Sequence, residues 1–248
     1  MSEKPVKKEN RKVDWDAPET TIASKNIIQQ KKALRLFYKQ CYQFFKNEIG
    51  EISDKKIVEL GSGAGFIKEY LHNCITSDVL DLPFVDRQID AMELPFNKEE
   101  LDYICMIDVF HHIPDVKLFL NEAVRVLQPG GKVLMVEPAN TKWGRFIYQN
   151  FHHELFDPFI KDWKLPNGGP MSSANGALPW IVFKRDWETI TKKKFPMLSI
   201  QTFEKKIPLL YLLSGGLSYP QILPTKFISL LDKISASGMF YFICLEKE

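Results

Sequence analysis

The feature that most constrains this chain is a short apolar run that breaks into alternating glycines, Val58-Glu59-Leu60-Gly61-Ser62-Gly63-Ala64-Gly65-Phe66. Ile57 to Leu60 read as a buried strand, and a helix can start at Phe66. Between them, glycines let a ligand lie against bare backbone, because no Cβ blocks the approach and positive φ carries little cost. A helix N-terminus behind the loop would add free N–H groups for an anion or carboxylate. Glycine spacing separates the ligands. A dinucleotide fingerprint reads G-x-G-x-x-G/A. Here the glycines fall at 61, 63 and 65, and Phe66 takes the third dinucleotide position. A nicotinamide-dependent oxidoreductase is therefore disfavoured.

Strands and helices alternate from there. Apolar runs predict strands at about 56–60, 74–79, 87–90, 101–107, 131–137, 197–206 and 239–246. Helices are expected at about 25–48, 66–72, 115–127 and 222–234. Such alternation with short apolar strands argues for a parallel sheet wrapped by helices. The link from Val79 to Arg87 contains Pro83 and is shorter than the dozen or so residues of a helical crossover, so it is expected to be extended or a single turn. Residues 1–23 are polar and aperiodic and read as a flexible tail, leaving 24–248 as a single domain. Trp15 argues for some docking of that tail. An insertion at about 139–196, with Gly168-Gly169-Pro170, is expected to cover a substrate.

Further motifs follow the glycine loop. They are Ile75-Thr76-Ser77-Asp78, Asp90-Ala91-Met92-Glu93-Leu94-Pro95-Phe96, Leu101-Asp102-Tyr103-Ile104, Val109-Phe110-His111-His112-Ile113 and Leu127-Gln128-Pro129-Gly130-Gly131-Lys132-Val133. With the loop, they resemble, in order, the motifs of the class I S-adenosylmethionine (SAM) dependent methyltransferases, and most nearly the type 11 group. The stretches Phe151 to Pro158 and Asn175 to Trp180 resemble a bacterial subgroup associated with polysaccharide clusters. The resemblance implies an α/β, Rossmann-like seven-stranded sheet, mostly parallel, flanked by helices, with the last strand antiparallel between strands five and six. It implies SAM as cofactor. Gly61, Ser62, Gly63 and Gly65 would carry the loop, and Glu59 would help fix the methionine ammonium. Asp78 would accept from the ribose hydroxyls, with Asp81 as the alternative acid. Asp90 would face the adenine amine, Ala91 the ring, and Asp108 the methionine pocket.

Catalytic candidates lie elsewhere. His112 sits at the carboxyl end of strand four and Glu137 at the end of strand five, where open α/β sheets place ligands. In the cluster His152, His153, Glu154 and Asp157, a helical backbone would put His153 and Asp157 on one face. That pair is a candidate general-base dyad. Metal ligation and a polar surface ended by Pro158 are the competing readings, and no metal centre is expected. Glu137, Trp143, Arg145, His152, Glu154, Asn175 and Trp180 are the substrate-contact candidates. Aromatic platforms suit sugar rings, and they also fill cores.

Composition excludes some classes. A formal net charge of +2 without a basic stripe argues against nucleic acid as a partner. Cys41, Cys74, Cys105 and Cys244 lack paired or metal-type spacing and read as reduced thiols. The charged N-terminus has no apolar core of a secretory signal, so a cytoplasmic protein is expected. No uninterrupted apolar run reaches the roughly 18 residues of a membrane span. The stretch Ile207 to Leu213 reads as core or as a wall against a greasy substrate, with peripheral membrane contact as a corollary. The expected activity is methyl transfer to a small or medium acceptor, first an oxygen of a sugar or lipid-linked saccharide, second a lipid or quinone. A SAM-binding regulator without turnover is the alternative of another class. Monomer and homodimer both fit.

Overall fold

The computed structural model describes residues 14–152, 154–166, 168–206, 209–217, 219–234 and 238–248. Seven strands form one sheet: β1 (Ile57–Glu59), β2 (Ile75–Asp78), β3 (Arg87–Gln88), β4 (Leu101–Ile107), β5 (Leu127–Pro138), β6 (Leu198–Lys206) and β7 (Phe240–Lys247). Their order is β3-β2-β1-β4-β5-β7-β6. The pairs from β3 through β5 are parallel, and β7 runs antiparallel between β5 and β6. This is the Rossmann-like seven-stranded sheet expected from the sequence. Helices cover both faces, so β4 and β7 are nearly continuous apolar runs, buried along their length. The chain leaves β1 for β2 on one side and later returns to β4 on the other. That switch point opens a crevice at the carboxyl ends of the strands.

The helices are α1 (Pro18–Gln30), α2 (Lys32–Ile49), α3 (Val116–Val126) and α4 (Lys142–Phe151). Leu34, Phe37, Cys41, Phe44 and Phe45 of α2 recur at three- and four-residue spacing and bury one face on the sheet. Asp115 caps α3 by accepting from the N–H groups of Lys117 at 3.0 Å and Leu118 at 3.4 Å. Among the described residues, no helix is long and apolar enough to cross a membrane. All four cysteines are buried, and none forms a disulfide.

Several elements differ from the sequence expectation. The helix expected over 25–48 is two helices broken at Lys31, whose backbone is extended. Helical structure begins at Pro18, inside the stretch read as a tail. The helix expected over 66–72 is a single 3-10 turn, Ile67–Glu69, preceded by Phe66, whose φ of −147° and ψ of 40° depart from helical backbone. No long helix therefore stands behind the glycine loop, and the free N–H groups there belong to the loop itself. β5 begins at Leu127, ahead of the expected 131. The link between β2 and β3 has no helix, as expected. Asp86 ties it back by accepting from the backbone N–H of Thr76 at 2.9 Å and its hydroxyl at 3.0 Å. The final helix starts after Pro224, at Thr225. Ile207 and Pro208 lie outside the described residues, and Leu209–Ser214 is a short helix.

Candidate active site

A cavity of about 490 Å³ fills the crevice at the carboxyl ends of β1, β2 and β4. The N-terminal segment roofs it with Trp15 and with Thr21 and Ser24 of α1. The insertion adds Gly168, Pro170 and Met171, and the stretch after Leu209–Ser214 adds Gly216 and Tyr219. These roof pieces are pinned to each other. Asp16 accepts from the N–H groups of Met171 at 2.7 Å and Ser172 at 3.0 Å. The Lys31 ammonium donates to the carbonyls of Gly216 and Tyr219, both at 2.6 Å. The break between α1 and α2 thus places a cation under the C-terminal part of the roof.

The glycine loop forms the floor. Gly61 and Gly63 have φ of 61° and 44°, the left-handed region that glycine enters freely. A Cβ on Gly61 would collide with the Val109 side chain. Ser62 locks the loop to β2: its N–H donates to the Ser77 carbonyl at 2.7 Å, and its hydroxyl accepts from the Ser77 N–H at 3.1 Å. Gly63 donates to Asp78 Oδ2 at 2.9 Å, and Leu80 donates to Asp78 Oδ1 at 2.9 Å. Burial pushes the Asp78 carboxyl up. Asp78 lines the cavity and the exposed Asp81 does not, so Asp78 is the acid placed for a ligand. Gly65 is a correction: it is absent from the cavity wall. Its missing Cβ makes room for the Tyr42 hydroxyl, which accepts from the Phe66 N–H at 3.0 Å.

Glu59 is the most telling group. It is 2% exposed, it lines the cavity, and its Oε2 has no hydrogen-bond partner among the described residues. Burial, with a smaller contribution from Asp78, pushes its carboxyl up to about 8. An orphaned buried oxygen costs free energy of about 1–3 kcal/mol unless a ligand supplies a donor. Asp90 stands at the exposed rim, its Oδ1 accepting from the Met92 N–H at 2.8 Å, with Ala91 and Met92 beside it on the wall. Asp108 lines the cavity with φ of 62°, a backbone state that non-glycine residues rarely hold and that clusters at functional sites. Burial first, then Glu137 and Glu154, pushes its carboxyl up to about 7 against the opposing pull of His111. These groups fit SAM: a bare-backbone floor, an orphaned acid for an ammonium, an acid for a diol and an apolar slot for a ring.

The far end of the cavity is a buried histidine–carboxylate cluster. Both oxygens of Glu137 are engaged: Oε1 accepts from the N–H groups of Val109 at 2.9 Å and Phe110 at 2.7 Å, and Oε2 lies 2.7 Å from His111 Nδ1. Glu154 faces His111 Nε2 at 3.2 Å, His112 Nε2 at 3.5 Å and His152 Nδ1 at 3.5 Å. Burial alone would lower His111. The hydrogen bonds of Glu137 and Glu154 outweigh it and hold the imidazole well above its ordinary value. Burial would likewise raise Glu154, and His111 and His112 hold it well below the usual carboxylate range.

Of the catalytic and substrate candidates, His112, His152 and Glu154 reach the cavity wall. Glu137 does not; it is fully buried behind His111 and positions it. Asp157 accepts from the Phe159 N–H at 2.8 Å and lies off the wall, so a His153–Asp157 dyad loses its acid. His153 lies outside the described residues. Asn175 is a buried clasp, accepting from the Asp157 and Ala177 N–H groups and donating to the Asp157 carbonyl. Trp143 is 43% exposed and stacks on Phe146, and Arg145 and Trp180 also stand off the wall. Sequence reasoning missed Tyr38, Tyr148 and Tyr211, which line the cavity, and His111, which anchors the cluster. The adjacent histidines were the available signal for His111. The tyrosines sit on helices whose docking the periodicity does not fix.

Residues 58–135 match the family profile described as a methyltransferase domain, the type 11 group. The matched segment runs from β1 into β5 of this sheet, and the class it resembles, the class I SAM-dependent methyltransferases, uses SAM as cofactor. Among curated proteins, the chain is 24% identical over 135 residues to the chloroplastic tocopherol O-methyltransferase of Arabidopsis thaliana, covering 45% of this chain and 39% of that one. It is 31% identical over 110 residues to phthiotriol/phenolphthiotriol dimycocerosates methyltransferase 1 of Mycobacterium ulcerans, covering 36% and 41%. It is 36% identical over 74 residues to the demethylmenaquinone methyltransferase of Staphylococcus carnosus, covering 28% and 31%. The chain thus spans less than half the length of these curated relatives. Among solved structures, geranyl diphosphate C-methyltransferase of Streptomyces coelicolor A3(2) shares the fold with a TM-score of 0.54 at 14% identity, covering 94% of this chain and 88% of that one.

Proposed function

We propose that this protein is a SAM-dependent methyltransferase whose acceptor is an apolar molecule carrying a hydroxyl. One observation carries the cofactor half: Glu59, buried and with an unpartnered oxygen, lines the same cavity as the bare backbone of Gly61 and Gly63 and the Asp78 carboxylate. Glu59 would take the methionine ammonium, Asp78 the ribose hydroxyls, and Asp90 with Ala91 and Met92 the adenine, while Asp108 flanks the methionine side. When bound, SAM supplies an electrophilic methyl group, so what the protein adds is alignment of the nucleophile.

The acceptor half rests on the rest of the wall. Ile28, Ile147, Leu212, Leu217 and Met239 make it apolar, and His112, His152 and Glu154 make one polar end. A hydroxyl placed at that end, with an apolar body along the wall, satisfies both surfaces. The relatives named for tocopherol, phthiotriol and demethylmenaquinone support the same acceptor class. A saccharide acceptor draws less support, because Trp143, Trp180 and Asn175 stand off the wall. The test is methyl transfer from labelled SAM to alkyl-substituted phenols and quinols, and in parallel to saccharides. Turnover confined to the apolar acceptors is expected; turnover confined to saccharides would refute the acceptor assignment.

A further inference from the structure

At the acceptor end, two adjacent histidines turn the same ring nitrogen onto one carboxylate. His111 and His112 follow one another in the 3-10 turn Phe110–His112, with ring centroids 4.3 Å apart. His112 Nδ1 lies 3.1 Å from the Ser173 carbonyl. A carbonyl only accepts, so Nδ1 carries the hydrogen, and in the neutral ring Nε2 presents its lone pair. His111 Nδ1 lies 2.7 Å from Glu137 Oε2, and the other oxygen of Glu137 already accepts two backbone N–H groups. Glu137 therefore acts as an acceptor on both sides, and His111 Nε2 is the ring nitrogen left for Glu154.

The two Nε2 atoms stand 3.2 Å and 3.5 Å from the two oxygens of Glu154. Charge-assisted N–H···O bonds close to about 2.7–2.9 Å, so these contacts are loose. In the neutral rings both Nε2 atoms turn lone pairs toward Glu154, and a single cation among the three groups, displacing the proton that otherwise joins His111 to Glu154, serves both rings. We propose that His111 Nε2, His112 Nε2 and Glu154 form a binding site for a divalent transition-metal ion. One donor atom from each of the three lies within 4.8 Å of the others. Imidazole and carboxylate together suit zinc, iron, cobalt and manganese. Glu137 behind His111 and the Ser173 carbonyl behind His112 are the outer partners that fix ring tautomer and orientation at metal centres. His112 and Glu154 line the cavity, so the ion has an open face toward it. The sequence reading expected no metal; the site joins Glu154 to two histidines 42 and 43 positions earlier in the chain, a separation no spacing rule detects.

The metal-binding claim stands on these side chains alone. Its role, to hold the acceptor hydroxyl and lower its pKa, rests on the methyltransferase reading. The test uses the tag-free full chain, stripped with chelator and titrated with Co²⁺ and then Zn²⁺, following the visible ligand-field bands of cobalt and the heat of binding. One equivalent of Co²⁺ displaced by Zn²⁺ is expected. Glu154→Gln, which keeps the shape of the side chain, and His112→Ala should abolish the bands, and Glu137→Gln should weaken affinity by about 10–100-fold. Circular dichroism establishes that each variant is folded, and the near-isosteric Glu154→Gln carries the result if His112→Ala does not fold. A folded wild-type chain that takes up no cobalt overturns the proposal, as does binding that Glu154→Gln leaves unchanged. SAM titrated in the same samples separates the two claims. SAM binding without cobalt sinks the metal site alone, and cobalt binding without SAM sinks the methyltransferase reading alone.

Discussion

Gly63 donates its backbone N–H to Oδ2 of Asp78 at 2.9 Å. The glycine loop and the acid at the end of β2 are therefore one unit. The same carboxylate that lines the cavity also sets the loop that floors it. Replacing it should hurt binding twice, by removing an acceptor and by freeing the loop.

Asp78→Ala is accordingly expected to weaken SAM binding by roughly 10–100-fold, in line with hydrogen bonds to a charged group contributing about 1.5–3 kcal/mol. Asp81→Ala should leave it unchanged, since Asp81 is exposed and off the wall. Calorimetric titration of both variants decides which acid is used.

Glu59 makes stability depend on pH. Its folded carboxyl is pushed up to about 8 from an ordinary 4.5, so between those values the folded state holds a proton that the unfolded chain has lost. Stability from this group is full below the unfolded value and is lost as pH rises through the folded one. The urea midpoint of the ligand-free protein should therefore fall across that window, and Glu59→Gln should flatten the fall. Because an ammonium favours the ionised carboxylate, SAM binding near neutral pH should release a proton, seen as a heat that varies with buffer ionisation enthalpy.

Gly61 combines positive φ with a filled neighbourhood. Gly61→Ala should cost about 1–2 kcal/mol from the left-handed backbone alone, plus the collision with Val109. Adding Val109→Ala should recover the collision and leave the backbone cost. Equilibrium denaturation of the single and double variants measures both parts; no recovery in the double variant would refute the steric share.

Lys31 links the break between α1 and α2 to the roof through the Gly216 and Tyr219 carbonyls. Lys31→Met should loosen that part of the roof. Hydrogen exchange should rise around Gly215 and Gly216, and KM for the acceptor should rise more than kcat falls. An unchanged exchange pattern would remove the strap.

The sheet was legible because its signals are local. Alternating apolar strands, the left-handed Gly61 and Gly63, and Asp78 at the end of β2 all follow from spacing within a few residues. Gly65 misled because a glycine that makes room for Tyr42 reads the same as one that makes room for a ligand. The acceptor end was harder for a physical reason. Glu154 meets His111 and His112 across 43 and 42 residues, through an insertion whose path is set by tertiary clasps such as Asn175 on Asp157. The i, i+4 argument for His153 and Asp157 needed a helix there, and α4 ends at Phe151. Trp143 and Trp180 attracted attention as aromatic residues, yet only packing decides whether a ring faces a ligand or a neighbour.

The most direct measurement is isothermal titration of the folded protein with SAM, and with S-adenosylhomocysteine, beside the Glu59→Ala variant. One-site binding by the wild type, lost or strongly weakened in the variant, is the predicted result, because Glu59 offers the cavity its only buried carboxylate oxygen without a partner among the described residues. No binding of either compound by a folded wild-type chain would contradict the assignment of the cavity to SAM.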